Sequence, residues 1–206
     1  MYILIESAIN KIAMKKLLSL VVTLGMLSGV ASAAPYVLPS NQPGALTPYD
    51  MQPVYSVEGL YAIADDSDQP NMAGVRLSFS LYNNAADTVR HQVKMSAAPM
   101  WGSENSMDLF MVPATVGYEM NIELTDSALL YLGCKAGYAW AKAEDDYGST
   151  NTGGFTFSVG GGLKFMCSDA VYVNVGYEFG RTFFDKGDID DEMGQHIISV
   201  GVGCQF

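Results

Sequence analysis

From about residue 52 onward, hydrophobic and polar residues alternate with a period of two, and no window shows the 3.6-residue period of an amphipathic helix. The segment Phe155–Cys167 shows this best: its odd positions are apolar or glycine, and its even positions are mainly Thr, Ser, Gly and Lys. Successive side chains of a β-strand point to opposite faces, so such a segment has one apolar face and one face of small and polar residues. The pattern therefore predicts β-strands.

Eight segments of the chain carry this alternation. They are Tyr55–Ile63, Val75–Leu81, Val89–Ala97, Phe110–Met120, Leu129–Lys142, Phe155–Cys167, Val171–Gly180 and His196–Phe206. The connections alternate in length: residues 83–87, 123–127 and 168–169 form tight turns, whereas residues 64–71, 99–106, 143–154 and 184–194 form longer loops. Short periplasmic turns and longer external loops are typical of a transmembrane β-barrel, and an even number of strands places both termini in the periplasm.

The first 33 residues predict a leader with a signal peptide. Met14-Lys15-Lys16 is a basic start, residues 17–30 are apolar, and Ala31-Ser32-Ala33 fits an A-x-A cleavage site, so we expect translation to begin at Met14. A retained membrane anchor is the alternative, but about 14 apolar residues are fewer than the roughly 18 that a spanning helix needs. Residues 34–53 hold five of the eight prolines and predict an extended periplasmic tail.

The alternating segments lie within residues 54–206, and the character of their faces distinguishes between two all-β folds. A soluble sandwich also alternates, but here the apolar faces run for about 10 residues, the length of strand that crosses a bilayer at a tilt. The opposite faces are too small and too polar to pack against a second sheet. Because hydrocarbon offers no partner to an open sheet edge, such strands can span only as a closed cylinder. We predict an all-β fold, an eight-stranded antiparallel up-and-down transmembrane β-barrel.

The net charge and the cysteines narrow the classes of function. With 22 acidic and 11 basic residues the formal net charge is −11, which argues against nucleic acid as a partner, because phosphate binding needs clustered Lys and Arg. Cys134, Cys167 and Cys204 do not have the spacing of a zinc site or a disulfide framework, and we interpret them as small apolar residues of the lipid-facing surface. No motif indicates a cofactor or a metal site.

Charged residues on the small, polar faces of the strands point into the predicted lumen. They are Glu58, Arg76, Arg90, Lys94, Glu119, Lys135, Lys164 and Glu178. An eight-stranded barrel is narrow and filled by side chains, and an isolated charge in a dry interior is very costly, so these residues must pair. We predict that they form a salt-bridge plug; a gated ion path, in which Glu119 or Glu178 exchanges partners, is the alternative.

Aromatic residues near the strand ends and on the outer faces predict girdles at the two membrane interfaces. They are Tyr61, Tyr118, Tyr138, Trp140, Tyr177, Phe183 and Phe184. We expect them to anchor the barrel rather than to recognise a ligand. Trp101 falls in a predicted loop and is the best candidate for a surface contact.

The predicted long loops hold most of the acidic residues. They are Asp65, Asp66, Asp68, Glu104, Glu144, Asp145, Asp146, Asp185, Asp188, Asp190, Asp191 and Glu192. Divalent cations are conceivable ligands, but no cluster has the spacing of an EF-hand, and solvated charge explains these residues better. A catalytic constellation is not evident, because Ser199 lies three residues from His196, on the opposite face of the strand, and His91 faces lipid. We therefore expect no enzymatic activity.

The runs Val112–Tyr118 and Tyr131–Tyr138 resemble those of the small outer-membrane barrel family, to which opacity-type proteins and the OmpA-like transmembrane domain belong. The runs Gly160–Phe165 and Gly176–Phe179 are similar to later strands of that family. By this resemblance, the terminal Phe206 is an assembly signal that the barrel-insertion machinery recognises. The motifs are diffuse, so the resemblance implies the fold and not an activity.

These features predict a monomeric barrel, integral to the bacterial outer membrane, that contacts outer-membrane lipid and is inserted by the barrel-insertion machinery. We expect a structural or surface-interaction role, in which the barrel supports the envelope and displays acidic external loops to an extracellular partner or to divalent cations. A narrow, porin-like conduit for a small apolar or ionic solute is the alternative. Catalysis on lipid A is a third and weaker class.

Overall fold

The computed structural model describes residues 51–66, 69–83, 89–104, 107–145, 148–185 and 192–205. Most of them lie in nine strands: β1 (Met51–Ala64), β2 (Met72–Asn83), β3 (Val89–Ala97), β4 (Met100–Glu104), β5 (Met107–Thr125), β6 (Ala128–Asp145), β7 (Gly148–Met166), β8 (Val171–Phe184) and β9 (Glu192–Gln205). The predicted leader, most of the proline-rich segment and Phe206 lie outside the described residues. None of the described segments is a helix of the length and apolarity that a bilayer span requires.

β3 and β4 together occupy one position in the sheet. Ala98 and Pro99 separate them, and the register with the neighbouring strands β2 and β5 is the same on either side of these two residues. The backbone also stays hydrogen-bonded there, because the Val75 N–H donates to the Pro99 carbonyl at 3.1 Å and the Ala98 N–H donates to the Pro113 carbonyl at 3.0 Å. The nine strands therefore build a wall of eight, the number that the sequence predicts.

This wall closes on itself as a barrel. All neighbours pair antiparallel, and β1 pairs with both β2 and β9. Following the paired residues once around the wall from Val54 leads to Ala64 on the same strand, ten residues farther along. With about 3.3 Å per residue and about 4.8 Å between strands, this shear gives a strand tilt of about 40° and a backbone radius of about 8 Å. The predicted fold class is confirmed, and the cylinder is narrow enough for side chains to fill it.

The connections distinguish the two ends of the barrel. We name as the turn end the one at which β1 begins and β9 ends, and as the loop end the one with the connections after β1, β4, β6 and β8. On β8, the outward side chains from Val173 to Phe183 are apolar except for Arg181. At this tilt ten residues cover about 25 Å along the barrel axis, which is the height of the apolar band of a transmembrane barrel. Leu77 and Val116 on other strands are likewise more than half exposed on the outer face.

Several strands extend farther than the sequence predicts. Residues 100–104 of the predicted loop 99–106 form β4, and β6 and β7 extend through most of the predicted loop 143–154. Trp101 therefore lies on β4, half-exposed on the outer face opposite Phe110, rather than in a loop. Residues 143–154 are mainly polar on both faces, whereas on β4 the buried Met100 is as apolar as the outward Trp101, so neither stretch shows the alternation that marks a strand in lipid. β1 begins at Met51, three residues before the predicted start of the barrel.

Candidate functional site

The inward side chains in the middle of the barrel form a network of ion pairs, in which Arg76 and the carboxylates are buried and Lys94 and Lys135 are partly exposed. Arg76 of β2 pairs with two carboxylates: its Nη1 donates to Glu58 Oε2 and to Glu178 Oε1, both at 2.8 Å, and its Nη2 donates to Glu178 Oε2 at 3.0 Å. Glu58 is the direct cross-strand partner of Arg76, whereas Glu178 reaches it across the lumen from β8. Lys135 of β6 also donates to Glu178, with its Nζ 2.7 Å from Oε2.

A second group of ion pairs continues the network toward the turn end. Lys94 Nζ donates to Glu58 Oε1 at 2.9 Å and lies 3.9 Å from Glu119 Oε2. Lys164 of β7 donates to Glu119 and, at 2.7 Å, to Asn121 Oδ1. We name the seven charged residues of both groups the charged layer.

Arg90 is the one predicted lumen residue that departs from this set. It lies at the turn-end rim, where its Nη2 donates to Glu123 Oε2 at 3.3 Å, and both side chains are about one third exposed. Arg90 shares the inner face of β3 with Lys94, but four residues at this tilt place it about 10 Å nearer the turn end. Strand alternation identifies the face of a side chain and not its height in the barrel, which is why the sequence grouped Arg90 with the others.

Two aromatic residues that the sequence analysis did not single out complete the charged layer. The rings of Tyr131 and Tyr172 each have their centre 5.2 Å from Lys164 Nζ, a distance that allows cation–π contact. Both rings fit because glycine faces them: a Cβ added at Gly176 would lie 1.8 Å from the Tyr131 hydroxyl, and one at Gly203 would lie 2.1 Å from the Tyr172 ring. Glycines on the inner face of β8 and β9 were a signal for large side chains opposite them.

The loop-end half of the lumen is apolar instead of charged. Its buried residues, here named the methionine layer, are Leu60, Ala62, Met72, Ala98, Met100, Leu109, Met111, Ala139, Ala141, Phe184, Met193 and Ile197. Met100 and Met111 are direct cross-strand partners. Gly74 and Gly102 leave room for the long side chains, because an added Cβ would lie 2.6 Å from Met100 Cγ or 2.9 Å from Met72 Cγ. The predicted interior of small and polar residues therefore describes the turn-end half, whereas in the loop-end half buried Thr156, Thr182 and Gln195 share the lumen with this apolar layer.

The space that the two layers leave is small. A cavity of about 30 Å³ lies between them, with Arg76 and Lys135 on one side and Met100 and Met111 on the other. Pockets for organic ligands have volumes of about 300 Å³ or more, so this cavity admits a water-sized or ion-sized group. The lumen therefore contains paired charges and methionine thioethers, with space between them for a water-sized or ion-sized group.

Four of the aromatic residues predicted to form a girdle are exposed on the outer face toward the loop end: Tyr61, Tyr138, Trp140 and Phe183. Phe184 instead points inward and belongs to the methionine layer. Tyr118 and Tyr177 face outward but lie in the middle of β5 and β8, inside the apolar band. Their hydroxyls share hydrogen bonds with His91 and His196, which supply the partners that hydrocarbon lacks.

His196 has a further partner that is distant in sequence. Its Nε2 lies 2.6 Å from Asp65 Oδ1, because Ile63, two residues before Asp65, pairs directly with His196 across β1 and β9. Ser199 is buried on the inner face, opposite to the outward His196, as strand alternation requires. The expectation that the chain is not an enzyme stays a prediction.

The cysteines and the described acidic residues form no further candidate site. All three cysteines are unpaired; Cys134 and Cys167 are exposed, whereas Cys204 is buried although it lies on the outer face of β9, directly opposite the exposed Tyr55. Five of the predicted loop acids lie outside the described residues: Asp68, Asp146, Asp188, Asp190 and Asp191. Within the part of the chain that the structure describes, no three His, Cys, Asp or Glu side chains gather as a metal-binding group.

Solved structures with the same fold are outer-membrane barrels. Neisserial surface protein A is 14% identical to this chain with a TM-score of 0.57, over 75% of this chain and 97% of that one. Ail, the attachment invasion locus protein of Yersinia pestis, is 16% identical with a TM-score of 0.52, over 76% and 97%. Its complex with the heparin analogue sucrose octasulfate is 18% identical, with a TM-score of 0.51 over the same shares. At these identities the likeness shows the fold alone. No curated protein sequence matches the chain.

The sequence itself matches one family model over most of its length. The model describes the outer membrane protein β-barrel domain, and the match covers residues 27–206, which include every strand of the barrel. Membership of this family, together with the closed wall and its apolar band, means that the protein is integral to the outer membrane. The chain belongs to the outer membrane protein β-barrel domain family.

Proposed function

We propose that the protein is a closed outer-membrane scaffold that stabilises the envelope and presents an acidic surface at its loop end. The observation that carries this proposal is the filling of the lumen by two successive layers, one charged and one apolar. A conducting lumen needs a continuous hydrated path, and a barrel with a backbone radius of about 8 Å has no room for one beside these side chains.

The energetics of the charged layer favour a fixed network. Arg76, Glu58 and Glu119 are nearly inaccessible to solvent, and Arg76 donates three hydrogen bonds to carboxylates. Breaking a buried ion pair leaves an uncompensated charge and costs about 3–5 kcal/mol, so partners exchange rarely. This supports the salt-bridge plug that the sequence predicts.

The loop end supports the second part of the proposal. The exposed charged residues described there are mainly acidic: Asp65, Asp66, Asp108, Glu144, Asp185 and Glu192. The Ail structure contains a polyanion, sucrose octasulfate, and an acidic surface disfavours such a ligand by like-charge repulsion. We infer a basic extracellular partner for this chain, and expect calorimetry to detect no binding of sucrose octasulfate. Saturable heat with this probe would contradict the acidic surface as the recognition site.

A narrow conduit is the second candidate, and one contact favours it. Lys94 lies between two carboxylates, 2.9 Å from Glu58 and 3.9 Å from Glu119, so a small movement would exchange its partner. If such exchanges carried ions, the carboxylate of Glu119 would be part of the path.

Planar-bilayer conductance and liposome swelling distinguish the two candidates. The scaffold predicts no swelling and no steady conductance for the wild-type barrel, while a general porin in parallel shows both. Glu119→Gln keeps the shape of the side chain and removes its charge; we expect it to lower the urea midpoint of unfolding and to leave conductance at background. Steady wild-type conductance that Glu119→Gln changes would overturn the plug.

A further inference from the structure

The charges of the charged layer do not balance. Between the two rims, the lumen holds four cations and three carboxylates among the residues that the structure describes: Arg76, Lys94, Lys135 and Lys164 against Glu58, Glu119 and Glu178. The pair at the turn-end rim, Arg90 and Glu123, is neutral and does not alter this difference. One positive charge is therefore in excess inside a closed barrel.

An excess charge in such surroundings requires compensation. An unpaired ion in a protein interior costs on the order of several kcal/mol even after relaxation and water penetration, so buried charges in proteins are paired. Carboxylates are fewer than cations here, and Glu178 shows this because its two oxygens accept hydrogen bonds from both Arg76 and Lys135. Lys135 Nζ has three N–H donors, and Glu178 is its carboxylate partner in the network.

The cavity of about 30 Å³ lies next to Glu178, the carboxylate that Arg76 and Lys135 share. Its lining on the charged side comprises Arg76, Lys135, Glu178, Ser96, Thr115 and Ser158. An anion accepts hydrogen bonds from hydroxyl and N–H groups. The hydroxyls of Ser96 and Thr115 share one hydrogen bond of 2.8 Å, so one of their two protons can be donated to another acceptor. On the other side, Met100, Met111 and Ile197 of the methionine layer line the cavity together with the polar side chains of Thr156, Thr182 and Gln195.

We propose that this cavity is a binding site for one small inorganic monoanion of the halide class, held by Lys135 and Arg76 with the Ser158 hydroxyl. One negative charge neutralises the excess, whereas the two charges of sulfate would reverse it. The bound anion is a structural counter-ion of the charged layer and takes no part in transport. The site does not depend on the surface role proposed above.

Urea unfolding of the reconstituted full chain, in chloride or in gluconate at the same ionic strength, tests the site. Gluconate is too large for the cavity, so only chloride stabilises the folded barrel there. A ligand that binds the folded state alone raises stability along a single-site saturation curve. We expect the unfolding midpoint to rise with chloride, at constant total salt, and then to level off.

Two variants with matched controls locate the effect. Lys135→Gln removes the excess charge and should make the midpoint independent of the anion, whereas Lys142→Gln, on the outer face, should behave as the wild type. Ser158→Ala keeps the charges and removes one donor, so saturation should need several-fold more chloride. Ser78→Ala, a lumen serine away from the cavity, is its control.

Equal midpoints in chloride and gluconate for the wild type overturn the proposal, since the excess charge is then removed by loss of a lysine proton. A chloride effect that Lys135→Gln and Ser158→Ala both retain also overturns it, because the anion then binds elsewhere. If Lys135→Gln does not fold, Ser158→Ala decides between these outcomes by itself.

Discussion

The two halves of the lumen fill the same cylinder by different means. In the charged layer, each side chain has named partners at defined atoms, and Arg76 alone makes three hydrogen bonds to carboxylates. In the methionine layer, the contacts are mainly between apolar groups without direction, and Met72 and Met100 occupy the space that Gly102 and Gly74 leave. The directed contact there is a hydrogen bond of 3.5 Å from Gln195 Nε2 to Met193 Sδ.

The difference shows what each layer contributes to a closed barrel. Ion pairs in a low-dielectric interior favour one arrangement, because most alternatives leave a charge without a partner. Flexible thioether side chains fill irregular space, so they exclude water while tolerating changes in shape. One layer therefore depends on the identity of its residues, and the other depends on their volume.

The largest effect should come from breaking the charged layer. Glu178→Gln removes the carboxylate that Arg76 and Lys135 share, and it raises the excess of positive charge in the lumen from one to two. We expect a loss of about 3–5 kcal/mol in the free energy of unfolding, measured by urea titration in lipid vesicles.

Glu123→Gln is the matched control for this variant. It makes the same chemical change at the turn-end rim, where Glu123 pairs with Arg90 and both are partly exposed. Such pairs contribute about 0–1 kcal/mol, and salt screens them. A loss at Glu123 equal to that at Glu178 would mean that burial does not set the strength of these pairs.

Loss of side-chain volume in the methionine layer should lower the free energy of unfolding. Met111→Ala removes a side chain that is 1% exposed and packs beside Met100, its cross-strand partner. Large-to-small substitutions of this kind cost about 2–5 kcal/mol, depending on how far the neighbours collapse into the cavity. Conductance should stay at background, because the charged layer still closes the lumen. Ion flux through Met111→Ala would show that the apolar layer alone closes the barrel.

The strands and the charged residues of the lumen follow from the sequence because alternation with a period of two is a local property. It assigns Glu58, Arg76 and Lys164 to the inner face without knowledge of their partners. It cannot assign their heights, which depend on a shear of ten residues that accumulates around the whole wall. Arg90 was misplaced for this reason, and the contact of Asp65 with His196 was missed.

The methionine layer was missed for a different reason. Met100 and Met111 are as apolar as the outward residues beside them, so on β4 and β5 near the loop end the two faces differ little in hydrophobicity. Alternation indicates the inner face only where that face is polar. The glycines at positions 74 and 102 were the available signal, because inward glycines on adjacent strands indicate large side chains between them.

Met111→Leu gives the smallest of these effects and tests the comparison most directly. Leucine has nearly the volume of methionine without the sulfur, and swaps of this kind usually cost less than about 1.5 kcal/mol. If the layer acts by volume alone, Met111→Leu should lie close to the wild type and well above Met111→Ala in urea midpoint. A loss as large as that of Met111→Ala would mean that the thioether has a specific partner, and the apolar half would then depend on residue identity just as the charged half does.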